Sequence, residues 1–192
     1  MRPLTLLVLA LTTFAGFGCG QSAATSSPPA PPTTVTGPPQ PTLKVALLPG
    51  MRHADRQLSA ATLGREAAGL SGQLAGWGYR AGSEREFKGN TGDFQDVVSR
   101  TLLFDSPAGA ESFMGFVHAH PDTWLGTLRS TKPVTLPGKR TGFVLSPVPC
   151  GCHRETLLRL LLAAHGPRVT WLMVNGPRAT TARTLALAGQ AP

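Results

Sequence analysis

The residues best equipped for chemistry in this chain are three cysteines, and they fall in two places. Cys150, Gly151, Cys152 and His153 form a Cys-x-Cys-His run directly after Pro149. Two cysteines this close pair as a disulfide in an oxidising compartment, and Gly151 permits the bend that brings the sulfurs together. The closed loop would be tiny, so the bond would be strained and more easily reduced than a structural one. Two thiolates beside an imidazole are also soft ligands for Cu(I) or zinc. A closed zinc site needs four ligands, however, and there is no second cysteine pair to supply them. The disulfide is the leading reading of Cys150 and Cys152. A redox or metal-binding thiol module is the alternative, and no metal or cofactor is assigned.

Other chemistry is thinner. His118 and His120 sit at the end of a helical pattern, where positions two apart point to nearly opposite sides. They suit the negative end of a helix dipole better than a shared metal. Glu84 and Glu86 alternate on one strand face and could mimic an acid pair, but solvent-facing partners for Arg80 and Lys88 are the expectation. Trp77, Trp124 and Trp171 are too scattered for a stacking platform and read as core or rim. Residues 69–73 fail the Gly-x-Ser-x-Gly spacing of a nucleophile elbow. No glycine loop precedes a Lys-Ser or Lys-Thr pair. No catalytic residue is assigned, and the expectation is a protein that is not an enzyme.

Cys19 has a different setting. Met1, Arg2 and Pro3 make a short positive start, and residues 4–17 are an almost uninterrupted apolar run ending in Gly18-Cys19. A membrane-spanning helix needs about 20 apolar residues, so this shorter run reads as an export signal over residues 1–18. A small residue directly before cysteine is the pattern of a bacterial lipoprotein signal. There the cysteine becomes the first residue and carries fatty-acyl chains, palmitate among them. Ordinary cleavage after Ala24 is the competing reading. Three cysteines leave one unpaired in an exported protein. Acylating Cys19 accounts for the odd one, and two acyl chains anchor stably where one does not.

The formal net charge is +8. Residues 43–128 hold 8 basic and 9 acidic residues, whereas residues 129–192 hold 9 basic residues and only Glu155 as an acid. That excess is dispersed, with no Lys/Arg run, zinc-finger spacing or RNA-binding aromatic motif, so nucleic acid is not the expected partner. A basic region held near a membrane instead predicts salt-sensitive attraction to anionic lipid or cell-wall polymer. Arg154, Arg159, Arg168 and Arg178 are its expected contributors.

Between anchor and domain, residues 19–42 are a Pro/Ser/Thr-rich stretch with no charged residue. Proline fixes φ and removes a donor, so this stretch can join neither a helix nor a central strand. As a semi-extended tether it reaches at most about 70 Å at ~3.1 Å per residue. Residues 43–192 are then one domain, large enough to need no staple. Residues 59–74 read as a helix capped by Ser59 and stopped by Gly76, weakened by Gly64, Gly69 and Gly72. Residues 79–88 and 97–104 read as strands joined by turn chemistry at Gly89-Asn90-Thr91-Gly92. Ser106-Pro107 is a helix start, with the cap hydroxyl before a proline at the first helical position. Ala110, Phe113, Met114 and Val117 then fall on one apolar face. Residues 134–136 and 143–145 are short extended runs around Pro137-Gly138. Residues 155–164 fit helix or strand equally, residues 169–174 fit a strand, and residues 177–188 a closing helix.

The order of these pieces resembles a known family. A helix leads to Trp77-Gly78-Tyr79-Arg80-Ala81-Gly82 and Arg85-Glu86-Phe87. A strand ending Leu103-Phe104-Asp105 follows, then Ser106-Pro107-Ala108 opening a helix with Phe113, and late strands before a terminal helix. This is similar to the poorly characterised exported lipoproteins of actinomycetes, whose domains look like the PsbP-like α+β sandwich. The resemblance implies that residues 155–164 are a strand, and it transfers no catalytic residue. The expected fold is α+β, a mainly antiparallel sheet of five to six strands packed with helices. The expected role is a membrane-anchored extracytoplasmic domain of the cell envelope that binds a ligand or partner.

Overall fold

The computed structural model describes residues 43–148 and 157–191. Cys19, Cys150, Cys152 and Arg154 lie outside the described residues, as do the signal and the tether.

Three antiparallel strands come first: β1 (Arg52–Leu58), β2 (Tyr79–Lys88) and β3 (Asp96–Phe104). Helices α1 (Ala60–Gly64) and α2 (Leu70–Gly76) fill the β1–β2 connection. From β3 the chain passes through α3 (Pro107–Ala119) and α4 (Asp122–Leu125) to the far edge of the sheet. It then returns strand by strand through β4 (Leu128–Leu136), β5 (Arg140–Pro147), β6 (Leu157–His165) and β7 (Arg168–Gly176). Helix α5 (Thr181–Gly189) follows. The strand order is β1-β2-β3-β7-β6-β5-β4, all antiparallel. Two meanders thus meet at a β3–β7 seam, and the sheet is closed in its middle by a pairing between strands distant in sequence.

The fold is α+β as expected, with seven strands where five to six are expected from sequence. The extra one is β1, Arg-His-Ala-Asp-Arg-Gln-Leu, whose first six residues are exposed. An edge strand with neither face covered along most of its length carries no apolar alternation to read. The single helix expected over residues 59–74 is two short ones. Gly69 lies at φ +76°, which breaks the helical path. A Cβ at Gly64 would collide with the Ser71 backbone, so α1 and α2 cross where glycine leaves room. Ser59 caps the first helix through its hydroxyl and the Thr62 amide. The closing helix begins at Thr181, capped by Thr180, and residues 177–179 form the link before it. Residues 155–164 were open between helix and strand, and Leu157–His165 is a strand between β5 and β7. Leucine favours helix in isolation, but an inner strand covered on both faces needs a continuous apolar run.

One face of the sheet presents Leu58, Leu102, Phe104, Leu145, Leu160, Leu162, Val169 and Trp171 to Leu63, Leu70 and Leu74 of the first helices and Phe113 and Val117 of α3. Ser106 and Pro107 start α3 as read from sequence, the Ser106 hydroxyl accepting from the Gly109 amide at 3.2 Å. The other face presents Phe87, Val97, Val144, Leu161, Ala163, Leu172 and Val174. It is covered by Leu43, Leu48 and Met51 and by Leu187 and Ala188 of α5. A 3-10 turn (Val45–Leu47) lies in that covering segment. Arg140 fixes the end of α5. Its Nη2 donates to the Ala188 and Ala191 carbonyls, a cation on the negative end of a helix. Burial holds the Arg140 pKa below that of a free guanidinium. Leu43 is itself held at the sheet. Its amide donates to Ser99 Oγ at 3.3 Å, and Arg85 Nη1 donates to its carbonyl at 3.0 Å. Arg85 also makes a two-pronged pair with Asp55, both bonds 2.6 Å.

Candidate functional site

Polar chemistry collects at two places on opposite faces of the sheet. On the first face the register sets Arg56, Glu84, Arg100 and Trp171 side by side across β1, β2, β3 and β7. Arg56 donates to both Glu84 oxygens at 2.5 and 3.1 Å, and Arg100 Nε donates to Glu84 at 2.6 Å. The remaining Arg100 nitrogens grip both oxygens of Glu66 at 2.7 and 2.8 Å. Trp171 lies under the Arg100 guanidinium, 4.9 Å from ring centroid to Cζ, and Trp124 packs edge-on to Trp171. Glu84 is therefore not the solvent-facing partner of Arg80. It is 3% exposed, and Arg80 pairs with Asp105 instead. Glu86 does pair with Lys88, at 3.0 Å. Burial alone would raise the Glu84 pKa. The Arg56 hydrogen bonds and the Arg100 charge outweigh it and hold the carboxyl below its ordinary range. Two acids and two guanidiniums cancel, and every carboxylate oxygen is used. The ion pairs are a structural network with both carboxylates fully used, while the buried Trp171 indole N–H under Arg100 has no hydrogen-bond partner among the described residues.

The other place is a groove of about 390 Å³ on the second face. Three separate segments build it. The 3-10 turn contributes Leu47, followed by Leu48 and Pro49. The β2–β3 turn contributes Thr91, Asp93 and Phe94. Helix α5 contributes Arg183, Ala186 and Leu187, and its C-cap Gln190 follows, spaced three and four apart so that one stripe faces the groove. Leu48, Phe94 and Leu187 are buried and form an apolar floor continuous with the core. Asp93 and Arg183 form an ion pair at the rim. The β2–β3 turn is pinned against the end of β7. Gln95 donates to the Asn175 carbonyl at 2.7 Å and Arg178 to the Asp93 carbonyl at 3.2 Å through their backbone amides. Arg178 is exposed and its side chain does not line the groove.

Of the expected surface-binding arginines among the described residues, none lines this groove. Arg159, half-buried, sits opposite Val174 near the same end of the sheet and donates to the Leu158 carbonyl at 2.6 Å. Arg168 is exposed beside the β6–β7 turn. Val174 lies six residue steps along β7 from it, about 20 Å at ~3.4 Å per residue, so Arg168 and Arg178 serve different ends of the molecule. His118 packs on Phe143 and His120 on Phe116, each with its own ring partner. Among the described residues, no three His, Cys, Asp or Glu side chains come together to hold a metal ion. None of their helices is long and apolar enough to cross a membrane. Sequence reasoning missed Asp93, Arg183 and Gln190. The α5 stripe at residues 183, 186, 187 and 190 was the available signal, but only the pairing of distant strands shows what it faces.

No protein-family model matches the chain, and no curated protein matches it. Among solved structures it is similar to the extracellular domain of PknH from Mycobacterium tuberculosis, with a TM-score of 0.39 and 16% identity. The likeness covers 72% of this chain and 82% of that one. A likeness of that degree says nothing about ligand or activity.

Proposed function

We propose that the protein is a lipid-anchored, extracytoplasmic domain of the cell envelope that binds an amphiphile, and that it does so without catalysing a reaction. The groove between the 3-10 turn and α5 is the observation that carries this reading. Its volume of about 390 Å³ lies in the range of small-molecule sites, which join an apolar lining to a few placed polar groups. An acyl or other aliphatic tail fits over Leu48, Phe94 and Leu187. An anionic head fits the rim at Arg183, where it would compete with Asp93 for the guanidinium. Anchoring is supported by the sequence: a short export signal ending at Gly18-Cys19, then an uncharged tether. An acylated Cys19 would keep the groove within tether reach of a membrane, where amphiphiles are concentrated. The family resemblance to actinomycete lipoproteins and the pairing of Cys150 with Cys152 belong to the same proposal.

Two measurements test it. Titration of the purified protein with a long-chain fatty acid and with the matching fatty alcohol should show tighter binding of the acid, weakening with salt. Leu187→Glu should abolish both, and Arg183→Ala should remove the preference for the acid, worth about 1.5–3 kcal/mol for a charged hydrogen bond. Equal binding by wild type and Leu187→Glu would refute the groove. Intact mass of the membrane-extracted protein should show acyl chains on Cys19, and a mature chain starting at Thr25 without lipid would refute the anchor.

A further inference from the structure

At the other end of the sheet, α3, the β4–β5 turn and the end of β6 enclose a second cleft, of about 210 Å³. Glu111 from α3, Lys139 from the turn and His165 from β6, all three exposed, line it together with Pro107 and Met114. Six of the nine acidic residues among the described ones are ion-paired. Glu111 is not, although Lys139 lines the same cleft, and neither Lys139 nor His165 has an ion-pair or hydrogen-bond partner among the described residues. A carboxylate and two basic groups from three elements border one small space without closing on each other.

The backbone adds an independent sign. Lys139 has φ +58° and is the non-glycine residue with positive φ among those described. It follows Gly138, at φ +75°, in a three-residue hairpin loop between Leu136 and Arg140. Such a loop takes glycine or asparagine at its left-handed position. Turn chemistry therefore does not select a lysine, and a strained residue kept at a cleft is the kind of outlier that marks function.

We propose that this cleft is a binding site for a small zwitterion of the α-amino-acid class. Glu111 receives the ammonium group, Lys139 and His165 receive the carboxylate, and Pro107 and Met114 leave space for a short side chain. Neither charge of such a ligand is satisfied by one side of the cleft alone, which sets it apart from a simple anion or cation. The site is separate from the amphiphile groove and does not depend on it.

The test is amide chemical-shift mapping of the purified full chain with L-alanine, and with acetate and methylammonium as its two halves. L-Alanine should shift the amides around residues 111, 139 and 165, with each half binding about tenfold more weakly or worse. Lys139→Gly should weaken L-alanine binding about tenfold or more while the melting temperature holds or rises, because glycine suits the left-handed backbone. Glu111→Gln should weaken it by a similar factor. Absence of shifts at millimolar L-alanine would overturn the proposal. So would acetate binding as tightly as L-alanine, or Lys139→Gly binding as the wild type does.

Discussion

Glu84 shows how one side chain can tie three strands together. It is nearly buried, and its charge is tolerated because Arg56 and Arg100 surround it. Removing one partner from such a pair leaves an uncompensated charge in a poor dielectric. Glu84→Ala should therefore cost about 3–5 kcal/mol in chemical denaturation, far more than the exposed pair Arg80–Asp105, where Asp105→Ala should stay under about 1 kcal/mol. The pH dependence follows from the same contacts. The folded pKa of Glu84 lies below its unfolded value, and so does that of Asp55, held down by its Arg85 hydrogen bonds. Their stabilisation is complete above the unfolded values of about 4. It is lost as pH falls through the lower folded values. Melting temperature should accordingly drop below about pH 4, and the drop should be shallower in Glu84→Gln. An equal drop in both proteins would show that other carboxylates govern acid unfolding.

Among the elements, α3 was legible and β1 was not, for physical reasons that differ. Ser106, Pro107 and the apolar spacing of Ala110, Phe113, Met114 and Val117 are local signals, and all of them describe the helix found. The hairpin of β2 and β3 was equally local. By contrast β1 is defined by pairing with β2 alone, and its polar residues are those an edge needs. The leucines of β6 carried no period because both faces of the strand are covered, so composition could not decide between helix and strand. The groove and the cleft were the least legible, since each draws on three segments that meet only through the β3–β7 seam. Within α3 two glycines make the local and tertiary contributions separable. A Cβ at Gly109 would run into the Trp77 carbonyl, whereas one at Gly115 meets nothing within 4 Å. Gly115→Ala should stabilise by up to about 1 kcal/mol through helix propensity. Gly109→Ala should destabilise by about 1–3 kcal/mol despite the same propensity gain. Thermal unfolding of the pair measures both, and like-signed shifts would contradict the close approach of α3 to Trp77.

At the scale of the whole molecule, the described chain begins in the middle of a sheet face and its first strand lies at the sheet's edge. Leu43 is fastened to Ser99 on β3 and to Arg85 on β2 before the chain turns away to form β1. That fastening sets a load path. Tension applied at residue 42 is borne first by two hydrogen bonds and a buried leucine at the inner strands. β1, paired on one side only, is loaded after they yield. Leu43 is in this sense a mechanical fuse ahead of the weakest strand. Single-molecule pulling from the N-terminal side should show a small early event before the main rupture, and Ser99→Ala should lower the force of that early event while leaving the main one in place. A wild-type trace in which β1 peels away without an earlier step would mean that the clamp carries no load. A domain fastened this way can be tugged from its N-terminal side without losing the strand that closes its edge.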